Sequence, residues 1–373
     1  LQAAATPESA GGHGRIALLD GLRGVCALLI MLFHFHLLGF DTHAYLAVDF
    51  FFLLSGFVVA GAYEQRLKKG AGVGWFFAVR MARLYPLYLF GLVLGALVAL
   101  TFQPATAVGV AFARGLVFLP QPLPGNPSFY ALNGVYWSLG AELAINLAYG
   151  AGGFRLSSKA LAALCLACGV GLFAIGALNG NCNPGAYTTW LDLTCAGLRV
   201  GFAFPVGVLA YRWSGALRPW FAPVSPFILV AAMTVLLMSP IKMPLYDPLA
   251  MTTALPVLFA ALLAAPAVRG RMASLCDLLG RLSYPVYVTH FPLSDAYFHH
   301  WAPEAGRDLG AAAFPLCVGV LGTAVFALAW LAHKTLEPFG KQLISRLLAR
   351  REAGQKVGRG LANASLIPPQ PRL

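Results

Sequence analysis

Between residues 16 and 333 the chain returns repeatedly to apolar runs, each close to the length that crosses a membrane as a helix. About 20 apolar residues suffice for a hydrocarbon core of roughly 30 Å. A chain built this way has little freedom, because inside a bilayer its backbone polar groups must be satisfied by its own hydrogen bonds. Composition agrees: 59% of residues are hydrophobic and 11% charged, whereas soluble domains are about one quarter charged. The expected fold class is therefore all-α, a polytopic integral membrane protein of about ten transmembrane helices. The spans are placed at 16–38, 45–63, 84–101, 135–151, 159–178, 194–211, 221–239, 249–267, 283–300 and 310–333. The stretch 105–120 is short, Pro-flanked and carries Arg114, so it reads as interfacial or re-entrant. The first run retains Arg23 and lacks a small-residue cleavage site, so it reads as a span and not a cleaved signal.

Charge orients the bundle. With the N-terminus in the cytoplasm, 22 of the 26 lysines and arginines fall on the inner side. That bias predicts both termini inside, and the net charge of +12 then calls for no nucleic-acid partner. Residues 1–14 read as a disordered N-terminal segment and 15–338 as one membrane domain. Residues 339–373 read as a basic tail, an amphipathic helix against membrane lipids followed by disorder. Cys26, Cys165, Cys168 and Cys317 read as small packing residues. Cys182 and Cys195 flank an outer segment where a disulfide and two free thiols are both open.

Polar residues inside the runs narrow the function. In DGLRGVCALLIMLFHFH, Arg23 and His34 are eleven residues apart, close to three helical turns, so they share a face about 16 Å apart along the axis. His36 points elsewhere on the same helix. Ser138 and Glu142 share a face of the fourth span, and Glu142 arrives at a depth similar to His34 from the opposite chain direction. A carboxylate and an imidazole at one depth suggest a base and its orienting partner. At the inner mouth Arg80 and Arg83 are three apart, and with Arg23 they form a guanidinium group suited to phosphates. In RLSYPVYVTHFPL, Tyr284, Tyr287 and His290 follow one another at i,i+3. His34 and His36 face apart without further ligands, so no metal site is expected. Basic groups inside and an acid–base pair toward the outside suit a phosphate-bearing donor with a long reactive arm, such as coenzyme A.

These motifs, with VDFFFLLSGF, VRMAR and WSLGAE, resemble the membrane acyltransferase family 3 in the same order along residues 15–338. The resemblance implies an integral membrane O-acyltransferase that moves an acyl group, usually acetyl from acetyl-CoA, to a hydroxyl of an extracytoplasmic or lipid-linked carbohydrate or a small natural product. It matches Arg23 and His34 to the family's Arg-x10-His pair and Arg80 and Arg83 to its Arg-x-x-Arg pair. On that reading the cofactor is acetyl-CoA or another acyl-CoA, held by Arg23, Arg80 and Arg83. His34 is the general base and Glu142 orients it, with Ser138, Tyr287 or His290 assisting at the oxyanion. Direct transfer and a covalent acyl-enzyme are both open. So are completion within the membrane and completion by a separate extracytoplasmic partner protein. The location implied is the cytoplasmic membrane. The rival class is a proton-coupled secondary transporter or lipid flippase, which also buries Arg, His and Glu. Such carriers show paired, broken-helix repeats, and no such pairing is evident here.

Overall fold

Two pairs of parallel helices, each fastened at both ends, position everything that follows. The computed structural model describes residues 10–36, 41–183, 187–221, 223–300 and 313–364. The helices are α1 (Ala10–His34), α2 (Ala47–Lys68), α3 (Val73–Ala99), α4 (Ala105–Gly115), α5 (Tyr136–Ala151) and α6 (Ser158–Asn179). They continue as α7 (Trp190–Arg212), α8 (Pro226–Leu237), α9 (Tyr246–Ala264), α10 (Gly270–His300) and α11 (Ala313–Ala364). Among the described residues there is no extended sheet, only two isolated bridges, Gln121 with Tyr130 and Leu123 with Asn126.

Local sequence explains the helix ends. The Ser157 hydroxyl accepts from the Ala160 N–H at 3.2 Å and starts α6, and Gly180 stops it at φ +79°, a conformation glycine adopts without strain. Thr189 and Asp192 close a reciprocal capping box at the start of α7. Seven stretches are long and apolar enough to span: Ala17–His34, Ala44–Lys68, Val73–Ala99, Ser158–Asn179, Trp190–Arg212, Tyr246–Ala264 and Gly319–Ala349. Helices also occupy the other three expected spans, but α5 has 16 residues, α8 has 12, and α10, at 31, is more polar. Among the described residues, seven of the ten expected spans thus meet the length and composition of a crossing helix. At 11 residues, α4 reaches only about 17 Å and cannot cross. Helix α11 runs on through Pro338 to Ala364. The expectations for residues 1–9 and 365–373 lie outside the described residues.

Helices α2 and α7 run parallel. Arg199 on α7 bonds Asp49 on α2 at 2.7 Å, and Arg212 bonds Glu64 at 3.1 Å at the other end. The offset between partners stays at 150 and 148 residues, so the helices keep register along their length. Between the clasps, Gly56 lies against the Phe204 carbonyl and Gly207 against that of Leu53. A Cβ at either position would collide with the facing oxygen, so backbones approach as small-residue contacts in membranes allow.

The second parallel pair is α1 with α10. Arg23 meets Gly280 and Ser283 while His34 meets His290 and Ser294, at offsets of 256 to 260 residues. Helix α3 joins this pair through Tyr284, whose hydroxyl donates to the Leu84 carbonyl at 2.9 Å. Arg23 and His34, about 16 Å apart along α1, are therefore backed by a single partner helix.

Candidate active site along α1 and α10

At one end of the pair, His34 closes the last turn of α1 and stands half-buried, whereas His290 on α10 is fully buried. Their hydrogen bonds fix the tautomers. His34 Nδ1 lies 3.1 Å from the Ile30 carbonyl, and His290 Nδ1 lies 3.0 Å from that of Val286. A carbonyl can only accept, so each Nδ1 carries the proton. His290 Nε2 is then a lone pair, and it faces His34 Nδ1 at 3.1 Å. The His34 proton is shared between the Ile30 oxygen and His290, which leaves His34 Nε2 as an unprotonated nitrogen. Phe33 and Phe291 stand edge-on to the ring, and Ser294 Oγ donates to the His34 carbonyl at 2.8 Å. His36 lies past the helix end, exposed, with φ +53°.

Ser138 and Tyr287 come together beside this pair. Their oxygens are 2.7 Å apart, and Ser138 Oγ also donates to the Val135 carbonyl at 2.8 Å. With the serine proton on that carbonyl, the Tyr287 hydroxyl donates to Ser138. The Tyr287 ring lies 5.8 Å from that of His290. His290 has one N–H in its neutral form, and Val286 takes it. The expectation that His290 assists at an oxyanion therefore gives way: it has no donor left to offer.

Glu142 also needs correction. Its carboxylate accepts from Arg80 at 2.7 Å and from Ser55 at 2.8 Å, and no bond joins it to His34. The reason is energetic. Arg80 is 4% exposed, and a buried guanidinium left without a carboxylate costs far more than a neutral imidazole left without one. Asn146, one turn on, holds the Glu142 carbonyl at 2.7 Å. Arg80 Nε is buried with no hydrogen-bond partner, so the pair does not exhaust the guanidinium.

The basic groups gather at the opposite end. Arg23 donates to Ser283 Oγ at 2.8 Å and to the Gly280 carbonyl, and pairs with Asp20 at 3.2 Å. Arg83 is exposed, and its charge reaches both Arg23 and Arg80. Tyr284, next to Ser283, is tied to Leu84, next to Arg83, which explains how α10 draws the arginines of α1 and α3 toward one end of the pair. Of the three, Arg80 is committed to Glu142 and Arg83 is the one presented outward.

Sequence reading overlooked the network behind the site. Arg199 is wholly buried; besides Asp49 it donates to the Tyr45 and Cys182 carbonyls and to Tyr187, and it lies 4.9 Å over the Trp137 ring. Trp137 precedes Ser138, so this pin backs the α5 turn that meets Tyr287. The signal was present, an arginine inside the apolar run 194–211. Cys182 and Cys195 are buried thiols, with Cys195 Sγ 3.4 Å from the Cys182 carbonyl. Among the described residues no group of three or more His, Cys, Asp or Glu is placed to hold a metal ion.

Comparison with known proteins decides the family. Residues 16–334 match the acyltransferase domain family, which covers every helix described above except the start of α1 and the basic end of α11. The chain belongs to the membrane acyltransferase family 3. It is similar to Protein 2 in the picA locus of Rhizobium radiobacter, 39% identical over 170 residues, covering 39% of this chain and 86% of that protein. It is also similar to Acyltransferase MdmB of Streptomyces mycarofaciens, 30% identical over 152 residues, 36% of this chain and 38% of the relative. The match thus spans well under half the length of MdmB. No solved structure matches. As a family member, the chain is a multi-pass membrane acyltransferase, and its acyl donor and hydroxyl-bearing acceptor are the open terms.

Proposed function

We propose that the protein takes an acyl group, in the first instance acetyl, from acyl-CoA at the cytoplasmic face of the cell membrane and places it on a hydroxyl of an extracytoplasmic or lipid-linked carbohydrate. One observation carries this reading. The unprotonated His34 Nε2 and the Arg23–Arg83 cluster lie at opposite ends of the same α1–α10 pair. The two ends are about 16 Å apart along α1. A nucleotide head gripped by guanidinium groups, with its thioester on a long thin arm, fits that separation. His34 Nε2 takes the proton of the acceptor hydroxyl as the oxygen attacks the thioester carbonyl carbon. The C–O bond forms, the C–S bond breaks, and the proton passes from Nε2 to the departing sulfur, giving ester and free CoA. Purified protein given labelled acetyl-CoA and a panel of glycans tests the reading; label that stays on CoA with every acceptor would argue against it.

The arginines divide the work of donor binding. Arg83 is exposed and grips phosphate, while Arg80 holds Glu142, which also accepts from Ser55, so that α3, α5 and α2 are tied together. Neutralising Arg83 removes charge-assisted contacts, at about 1.5–3 kcal/mol, or about 10- to 150-fold in CoA affinity. Arg83→Gln is therefore expected to weaken CoA and acetyl-CoA equally, with melting behaviour unchanged. Arg80→Gln is expected to lower thermal stability first, and Arg80→Gln with Glu142→Gln to recover part of it. Isothermal titration with CoA beside thermal melts of the three variants checks this. Unchanged CoA affinity in Arg83→Gln would return that residue to membrane anchoring.

The orientation rests on the lysine and arginine bias. Reporter fusions near residues 70, 215 and 275 are expected to read cytoplasmic, and those near 120, 185 and 305 extracytoplasmic. A fusion at 70 that reads extracytoplasmic would put the arginine cluster on the wrong side for a cytoplasmic donor.

A further inference from the structure

The base, His34, has no carboxylate partner. In a Ser-His-Asp arrangement an acid holds the imidazole in one tautomer and stabilises the imidazolium. Here the atom in that place is His290 Nε2, 3.1 Å from His34 Nδ1. His290 is itself held rigidly. Its Nδ1–H is fixed on Val286 four residues back, the next carbonyl but one, Val288, accepts from Asn133 at 2.9 Å, and Ser294 one turn on ties α10 to the His34 carbonyl. The ring is fully buried and lies 5.1 Å from the His34 ring, so it has no freedom to turn its lone pair away.

We propose that His290 is the positioning residue of the transfer reaction, a neutral imidazole that presents its Nε2 lone pair to His34 Nδ1–H and so takes the place a carboxylate holds in other acyl-transfer sites. This rests on the reading of His34 as the base. Two effects follow. In the resting state, the shared proton keeps Nδ1 protonated and Nε2 bare, the only arrangement in which His34 can accept the acceptor's proton. When Nε2 takes that proton, His34 becomes an imidazolium, and its Nδ1–H bond to His290 changes from neutral to charge-assisted, roughly twice as strong. That gain exists only once charge has developed, so it raises turnover without tightening substrate binding. The oxygens of Ile30 and Val286 complete the line. The whole relay is uncharged until the proton moves, which suits a membrane interior where a standing carboxylate would be costly to bury. Tyr287, its ring 5.8 Å from that of His290, has its hydroxyl on Ser138 and so leaves the relay undisturbed.

Three substitutions at one position test it in the full-length protein. Glutamine can put an amide oxygen where Nε2 stood; asparagine is too short to reach, and leucine fills the space without an acceptor. His290→Leu and His290→Asn are expected to lose roughly 10²- to 10³-fold in kcat, with KM for acetyl-CoA and affinity for CoA unchanged. His290→Gln is expected to keep kcat within about tenfold of the parent. Should leucine prevent folding, the asparagine and glutamine pair still decides, since both are polar amides that differ by one methylene. Full kcat in His290→Asn, or a glutamine variant as slow as asparagine, would overturn the proposal. His34→Ala, assayed alongside, separates the two ideas: a fully active His34→Ala removes the base, whereas an inactive one beside an unaffected His290→Asn removes only the relay.

Discussion

His34→Ala is expected to abolish acyl transfer while His36→Ala retains most of it, although the two histidines are two residues apart in one motif. General-base assistance contributes about 10²- to 10⁴-fold, so turnover of the alanine variant should fall by at least that much. CoA binding should survive, because Arg23 sits three turns away at the other end of α1, braced by Ser283 and Asp20, and Arg83 is on α3. The fold should survive as well. Ser294 bonds the His34 main-chain carbonyl, which alanine keeps, and His34 is half-buried. His36 is exposed and beyond the helix, with its ring edge-on to Phe298, so its loss leaves the His34–His290 contact in place. Steady-state rates beside CoA titrations for both variants check this. Equal losses at 34 and 36 would remove His34 from the role of base.

The second large effect is on stability. Asp49→Ala is expected to cost about 3–5 kcal/mol, because it strands the Arg199 guanidinium, which has no exposed surface and leans on Asp49 through two nitrogens. The damage should spread along α7 and α2, since this pair and Glu64–Arg212 are the two clasps that keep those helices in register. Arg199→Met should be similarly harmful, leaving Asp49 buried and unpaired. The double replacement Asp49→Leu with Arg199→Met is expected to be milder than either single loss, because no lone charge remains. Thermal melts in detergent and the folded yield from size exclusion measure all three. An Asp49→Ala protein as stable as the parent would show that the pair is not a clasp.

How much of this was legible in the sequence depends on the range of each interaction. The Arg23–His34 relation is a property of one helix, and helical periodicity fixes it before any partner is known. The all-helical membrane architecture was equally legible, because hydropathy reports the solvent of each segment directly. Partners across helices were not. Glu142 was assigned to His34 by counting depth from the start of a span, yet depth says nothing about azimuth, and Arg80 with Ser55 lay on the side Glu142 faces. His290 was noticed but given a donor's role, because its Nδ1 contact with Val286 becomes visible only once α10 is built. Arg199 is visible in the sequence as a charge near one end of the run 194–211, but a charge there does not reveal its partner. Its burial depends on Asp49, 150 residues away in sequence. Hydropathy alone marks the spans unevenly: α5 and α8 are apolar but short, and α10 is long but polar.

Sided transfer in sealed vesicles tests the central claim most directly. With the protein inserted in one orientation, labelled acetyl-CoA is supplied only to the face bearing Arg23 and Arg83, and an impermeant glycan acceptor only to the face bearing His34. The account predicts label on the glycan with intact protein and none with His34→Ala, and no transfer when the two substrates are exchanged between faces. Transfer that requires donor and acceptor on the same face, or that proceeds unchanged in His34→Ala, would contradict it.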